Sequence, residues 1–214
     1  MLETVREYAS ERLREDPEAE RLAARGLARY CLAFLPRHIP PYPSDVHQAR
    51  RLSAEQDNLR TALRWARHDG DPELLCQLAI GFAGSAGLVV TPGEAEDWLL
   101  RAQEFAEGTS FGTALLVMRA IAAGASGRFD RGAQLLEALP AKDAQNPAWY
   151  AAGLGSKALL MSLTGGAAED VRTTAQLSVD AAREHGNRAL RVLQPRRQRQ
   201  PRAPCGTDGD HRKL

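Results

Sequence analysis

The chain has 214 residues, enough to bury a core as one domain or as a short repeat array. Its formal net charge of +1, with 26% charged residues, gives no global pull toward nucleic acid or acidic membranes. Aromatic residues are only 6%, and Ala, Leu, Arg and Glu dominate, which favours helices over strands.

A first amphipathic helix is expected over 2–15, with Leu2, Val5, Ala9 and Leu13 on one stripe. Glu7, Glu11, Glu15, Glu18 and Glu20, interleaved with Arg6, Arg12 and Arg14, read as a solvated face rather than a metal site. The second helix, 18–35, follows Asp16-Pro17: the carboxylate can accept a free first-turn amide, and proline lacks a hydrogen that no partner needs there. Pro36, Pro40, Pro41 and Pro43 exclude helix and predict an extended connector.

Helices are then predicted over 45–68, 72–88, 92–107, 110–126, 129–139, 147–164 and 168–185. Asp71-Pro72, Thr91-Pro92 and Asn146-Pro147 repeat the cap-then-proline signal, and Glu94 completes a capping-box pattern with Thr91. Gly70, Gly108, Gly127 and Gly186 stand where helices should close in the left-handed conformation. No alternating strand pattern appears, so the fold class is all-α. The longest apolar run, 79–90, is broken by Gly81, Gly84 and Gly87 and is too short to span a bilayer. Those glycines lack the lysine and the strand of a phosphate loop and predict instead the close approach of two helices in a pair.

Few residues suggest chemistry. Cys31, Cys76 and Cys205 have neither disulfide nor zinc spacing, and predict free thiols in a reducing cytoplasm. No secretory leader precedes the first helix, and the expected location is cytoplasmic. His38, His47, His68, His185 and His211 are scattered, without metal-ligand spacing. Ser44, Asp45 and His47 are too close in sequence to set up triad geometry unaided. Trp65, Trp98 and Trp149 sit in apolar helical stripes, as core residues or as peptide contacts on a concave face. From Val192 onward prolines and arginines take over, as in out-of-frame translation of a GC-rich gene, and 189–214 is expected to be a disordered basic tail. Arg196, Arg197, Arg199, Arg202, Arg212 and Lys213 could hold phosphate only non-specifically.

A repeat is legible in the middle of the chain. The segment 127–139 has the form of the second helix of a tetratricopeptide-like pair, a glycine turn followed by a helix with a small packing residue. Trp98 lies 37 positions before Leu135, and Gly166 lies 39 after Gly127. Three stacked pairs would form a short right-handed superhelix of antiparallel helices with a concave side. Ahead of them, the stretch from Leu52 through Glu55, Asp57, Asn58, Leu59, Arg60 and Ala62 to Leu63, Trp65 and Ala66 places its apolar residues on one face. Asp57 stands three residues before Arg60, within pairing distance.

This phrase resembles the start of the helical-repeat region in LuxR/AfsR-type actinobacterial transcriptional regulators with a signal-transduction ATPase. The opening residues 1–13 resemble the last helix of their winged-helix segment, and the resemblance covers roughly residues 1–185. It implies a truncated fragment with a lead-in over 1–43, comprising the end of the winged-helix region and a linker, tetratricopeptide-like repeats over 44–188 and the tail over 189–214. It also implies a non-catalytic scaffold, the sensor or partner-binding segment, with ATP bound only by an upstream domain. The expected partner is a protein or peptide on the concave repeat face, with no membrane and no specific nucleic-acid contact. A free-standing peptide-binding adaptor, and a weak non-specific nucleic-acid binder acting through the tail, are the alternatives. No residue is assigned a catalytic, cofactor or metal role.

Overall fold

The computed structural model describes residues 3–36, 39–42, 45–68, 71–85, 90–106, 109–141, 143, 146–184 and 186, and among these it is all-α. Ten helices follow in chain order: α1 Glu3–Arg14, α2 Pro17–Phe34, α3 Val46–Ala54, α4 Gln56–His68, α5 Pro72–Ala83, α6 Pro92–Gln103, α7 Gly112–Ala125, α8 Phe129–Glu137, α9 Pro147–Leu163 and α10 Ala168–Glu184. Leu2, His38, Pro43, Ser44, Gly70, Gly87, Gly108, His185, Cys205, His211 and the tail 189–214 lie outside the described residues.

All four cap-and-proline pairs begin helices at the proline. The Asp16 carboxylate accepts from the amides of Glu18 and Ala19, both at 3.1 Å, Asp71 from Leu74 at 3.0 Å, and Thr91 Oγ1 from Glu94 at 3.2 Å. Asn146 holds the cap position without a side-chain cap bond. Its amide nitrogen instead donates to the Ser110 carbonyl at 2.6 Å, tying the start of α9 to the segment before α7. Asp45 supplies a cap that sequence reasoning missed, accepting from the Gln48 amide at 2.8 Å. At the other ends, Gly127 (φ 75°) and Gly186 (φ 67°) take the left-handed conformation expected of them. The amide of Arg128 donates to the Ala123 carbonyl at 2.9 Å, closing α7.

The helix predicted over 45–68 is two helices, broken at Glu55 (φ −101°, ψ 9°). The break lets α3 turn toward the end of α2. There the Arg51 guanidinium lies 4.9 Å from the Phe34 ring centroid and 5.7 Å from that of Tyr30. Tyr30 Oη donates to Glu55 at 2.8 Å, and Asn58 Nδ2 donates to its other carboxylate oxygen at 2.6 Å.

Packing follows an alternating rule. Helices α2, α5, α7 and α9 form one row, each touching the next. Helices α4, α6 and α8 each lie against the first-row helices before and after them, and α10 lies against α9. A helix of the first row can meet four neighbours, so it has to be apolar around most of its circumference. Accordingly α5 buries Leu74, Leu75, Cys76, Leu78, Ala79, Ile80 and Phe82, and α7 buries Leu115, Val117, Met118, Ala120, Ala122 and Ala123. Second-row helices meet two neighbours and are amphipathic: α6 buries Ala95, Glu96, Trp98, Leu99 and Ala102, whereas Asp97, Leu100 and Arg101 stay exposed.

Contrary to the sequence expectation, Gly81 of α5 and Gly84 at its C-cap do not have a paired helix as their nearest neighbour. The atoms nearest to a Cβ built at Gly81 and Gly84 belong not to the paired helix α6 but to Leu35, which caps the end of α2, and to Pro41 beyond it. A Cβ built on Gly84 would lie 1.9 Å from the Pro41 carbonyl oxygen, and one on Gly81 would lie 2.5 Å from Leu35 Cδ1. Leu35, Pro36 and residues 39–42, the described part of the proline-rich connector, therefore form a strap packed on α5. Pro41 is buried, and the Tyr42 amide donates to the Pro40 carbonyl at 2.9 Å. Close approach within a pair does occur at Gly132 of α8, where a Cβ would lie 2.9 Å from the Ala120 carbonyl oxygen on α7.

Candidate partner-binding surface

The residues of the Leu52–Ala66 phrase contribute to the core. Leu52, Leu59, Leu63 and Ala66 are buried on the predicted face. Asp57 and Arg60 pair at 3.3 Å, but Arg60 also grips α6 in a two-pronged contact. Its Nε donates to Glu94 Oε1 at 2.7 Å and its terminal nitrogen to Oε2 at 3.0 Å. The Glu94 carboxylate is thus engaged across helices, where a capping box would have turned it back on Thr91. That partnership raises the Arg60 pKa, while hydrogen bonds from Asn58 and Tyr30 hold the Glu55 carboxyl below its ordinary range. Both members of the Arg60–Glu94 pair are about one-third exposed, so solvent weakens it. A double-mutant cycle of Arg60→Ala and Glu94→Ala in urea is expected to give a coupling of about 1 kcal/mol. A value near zero would mean that α4 and α6 are held by apolar contact alone.

Asp45, His47 and His68 are the described members of the candidate catalytic and metal-ligating set. The Asp45 carboxylate caps α3, and His47 is exposed beside it. His68 is exposed at the end of α4. The acidic cluster is solvated, with Arg12 donating to Glu15 at 2.8 Å and to Tyr8 Oη at 3.2 Å. Among the described residues, no three His, Cys, Asp or Glu side chains are grouped to hold a metal ion, and no helix is long and apolar enough to cross a membrane.

Cys31 and Cys76 are free thiols with no exposed surface. Burial, reinforced by Glu55, pushes Cys31 up to about 11; burial, partly opposed by a hydrogen bond from Thr109, does the same to Cys76. In an unfolded chain both would ionise near the ordinary thiol value, so the folded state binds their protons more tightly. The associated stability is complete below about pH 9 and is lost as pH rises toward about 11. The urea midpoint should therefore fall across that window, and the Cys31→Ala/Cys76→Ala chain should show a shallower fall. Equal slopes would place the thiols in contact with water.

The tryptophans divide. Trp98 is buried beneath the Arg101 guanidinium, 5.2 Å from its ring centroid, and Trp149 bridges the two core clusters while remaining half-buried. Trp65 forms the wall of an open groove of about 780 Å3, with Leu22, Arg21, Arg25 and His68 around it. Its indole nitrogen is buried without a hydrogen-bond partner. A second open groove, about 470 Å3, lies at the start of α8 between Arg128, Phe129, Arg131 and Leu163. Next to it is a charged cluster that sequence reasoning missed. Arg128 donates to the buried Glu96 of α6, and Arg119 of α7 donates to Gln103. Burial, with Arg131 adding to it and Glu96 opposing, pushes the Arg119 guanidinium pKa down. These contacts join residues 16 and 32 positions apart, beyond the reach of helical periodicity.

The exposed stripe of α5 is the remaining surface of interest. Glu73 and Gln77 are exposed and point along the same line as Gly81 and Gly84, which the strap covers. Ile39 of the strap packs against the second core cluster, formed by α7 to α10. The strap thus touches both α5 and the cluster of α7 to α10. Comparison of the chain with family models, curated proteins and solved structures finds no match.

Proposed function

We propose that the chain is a non-catalytic, tetratricopeptide-like scaffold, the sensor or partner-binding segment of a LuxR/AfsR-type ATPase transcriptional regulator. The observation that carries this reading is the two-row alternation combined with the repeat interval. The second-row helices α6, α8 and α10 start at Pro92, Phe129 and Ala168, 37 and 39 residues apart, and each follows its first-row partner. Stacked pairs of this kind build a right-handed superhelix whose first row lines the concave side. The pair α2–α4 extends the same pattern ahead of the three, and the family-like phrase forms its second member. Buried free thiols suit the reducing cytoplasm in which such regulators work.

The reading predicts that the chain alone neither binds nor hydrolyses ATP. Calorimetry should detect no saturable micromolar uptake; salt-insensitive binding would refute it. The DNA flanking the coding region provides a second test, because a regulator requires an upstream frame encoding a phosphate-binding loop. Its absence would favour the second reading, a free-standing adaptor that takes peptides on the first-row face, for which the open Glu73–Gln77 stripe is the specific support.

A further inference from the structure

We infer that the strap formed by Leu35, Pro36 and residues 39–42 is a built-in occupant of the partner groove, displaced by an extended, proline-containing apolar peptide. The inference rests on the partner-binding reading above and adds the site, the ligand class and its control. Glu73, Gln77, Gly81 and Gly84 follow one stripe of α5, with exposed residues at one end and the two glycines under the strap at the other. Without the strap, Gly81 and Gly84 would continue the open face as a trough without side chains.

The trough fits an extended main chain. At Gly84 the approaching atom is a backbone carbonyl oxygen, that of Pro41, and Leu35 leaves α2 in an extended conformation (φ −64°, ψ 147°) to lay its side chain over Gly81. At Gly132 the nearest carbonyl oxygen belongs to a helix, α7, whereas at Gly84 it belongs to a segment outside any helix. Among residues 39–42 the hydrogen bond formed is internal, from the Tyr42 amide to the Pro40 carbonyl, so apolar contact holds this stretch on the first row. A competitor with similar apolar side chains and proline-fixed backbone can make the same contacts, and prolines lower its ordering cost. Ile39 reaches the cluster of α7 to α10, so the occupied path spans neighbouring repeats, as a peptide ligand on stacked pairs would.

The test uses a fluorescent synthetic peptide copying residues 33–44 and the full chain, intact and carrying Ile39→Ser/Pro41→Ser. Expulsion of the strap opposes binding to the intact chain, so the variant, folded by circular dichroism, should bind at least about tenfold more tightly. Adding Gly84→Ala to the variant should remove that gain. Hydrogen exchange on the intact chain gives a readout independent of any variant: excess peptide should speed exchange at the Ile39 and Tyr42 amides. Equal or absent peptide binding by intact and variant chains, or unchanged exchange at saturating peptide, would overturn the inference. Selection of a random peptide library on the same chains separates the two readings. Ligands indifferent to both the strap and the Gly84 substitutions would remove the strap and leave the scaffold standing, whereas no ligand for any chain would remove the partner-binding reading itself.

Discussion

Truncating Phe82 to Ala is expected to lower the unfolding free energy by about 3–5 kcal/mol, measured by urea denaturation with an unchanged slope. Phe82 has no exposed surface and is among the largest side chains fully enclosed in the first core cluster. Its helix, α5, touches α2, α4, α6 and α7, and with Phe82 wholly buried the vacancy would not open to solvent. Collapse around the vacancy would require several helices to shift together, which keeps the cost at the upper end for core deletions. Small domains have only about 5–15 kcal/mol of stability in total, so a large part of the chain's margin would go. Leu177→Ala on the outer side of α10, a site 52% exposed, should change stability by no more than about 0.5 kcal/mol. Similar losses at both positions would mean that Phe82 is not enclosed among these helices.

Gly84→Ala should cost about 2–4 kcal/mol although it adds a single methyl group. The methyl would lie 1.9 Å from the Pro41 carbonyl oxygen, a backbone atom that cannot rotate away as a side-chain end can. Either the strap lifts off α5 or the helix end shifts. Gly26→Ala is the matched control. Nothing lies within 4 Å of its added Cβ, and it sits inside α2, where alanine is the better helix former. It should stabilise the chain by about 0.5–1 kcal/mol. Opposite signs for these two glycine-to-alanine changes would locate the effect in the strap contact. If Gly84→Ala were neutral, the strap would not be seated on α5 in solution.

The helical content of this chain is written in signals that act within one turn. Asp16, Asp71 and Thr91 cap helices because their side-chain oxygens reach amides two or three residues on, whatever the rest of the molecule does. Proline begins four helices for an equally local reason. The interval of 37 to 39 residues between second-row helices is also a one-dimensional property, as is the buried face of the Leu52–Ala66 phrase. Asp57 and Arg60 pair as their spacing predicts.

Tertiary structure decided the matters that depend on which groups meet across longer separations. Glu94 has the spacing of a capping box, but Arg60, 34 residues away, offers it two charge-assisted hydrogen bonds. Asn146 has the identity of a cap, but the Ser110 carbonyl takes its side-chain amide. Periodicity continued one helix through Glu55, whereas Tyr30 and Asn58 hold that carboxylate where α3 turns toward α2. Gly81 and Gly84 announce a close approach without naming the partner, because a missing Cβ is compatible with any neighbour. Folding brings the strap to that trough, and its distance from α5 along the chain leaves no imprint on local spacing. The contact between the strap and α5 was therefore not legible in the sequence. Gly81 and Gly84 belong to α5 and its C-cap, Leu35 and Pro41 to the segment after α2, and only packing places them together.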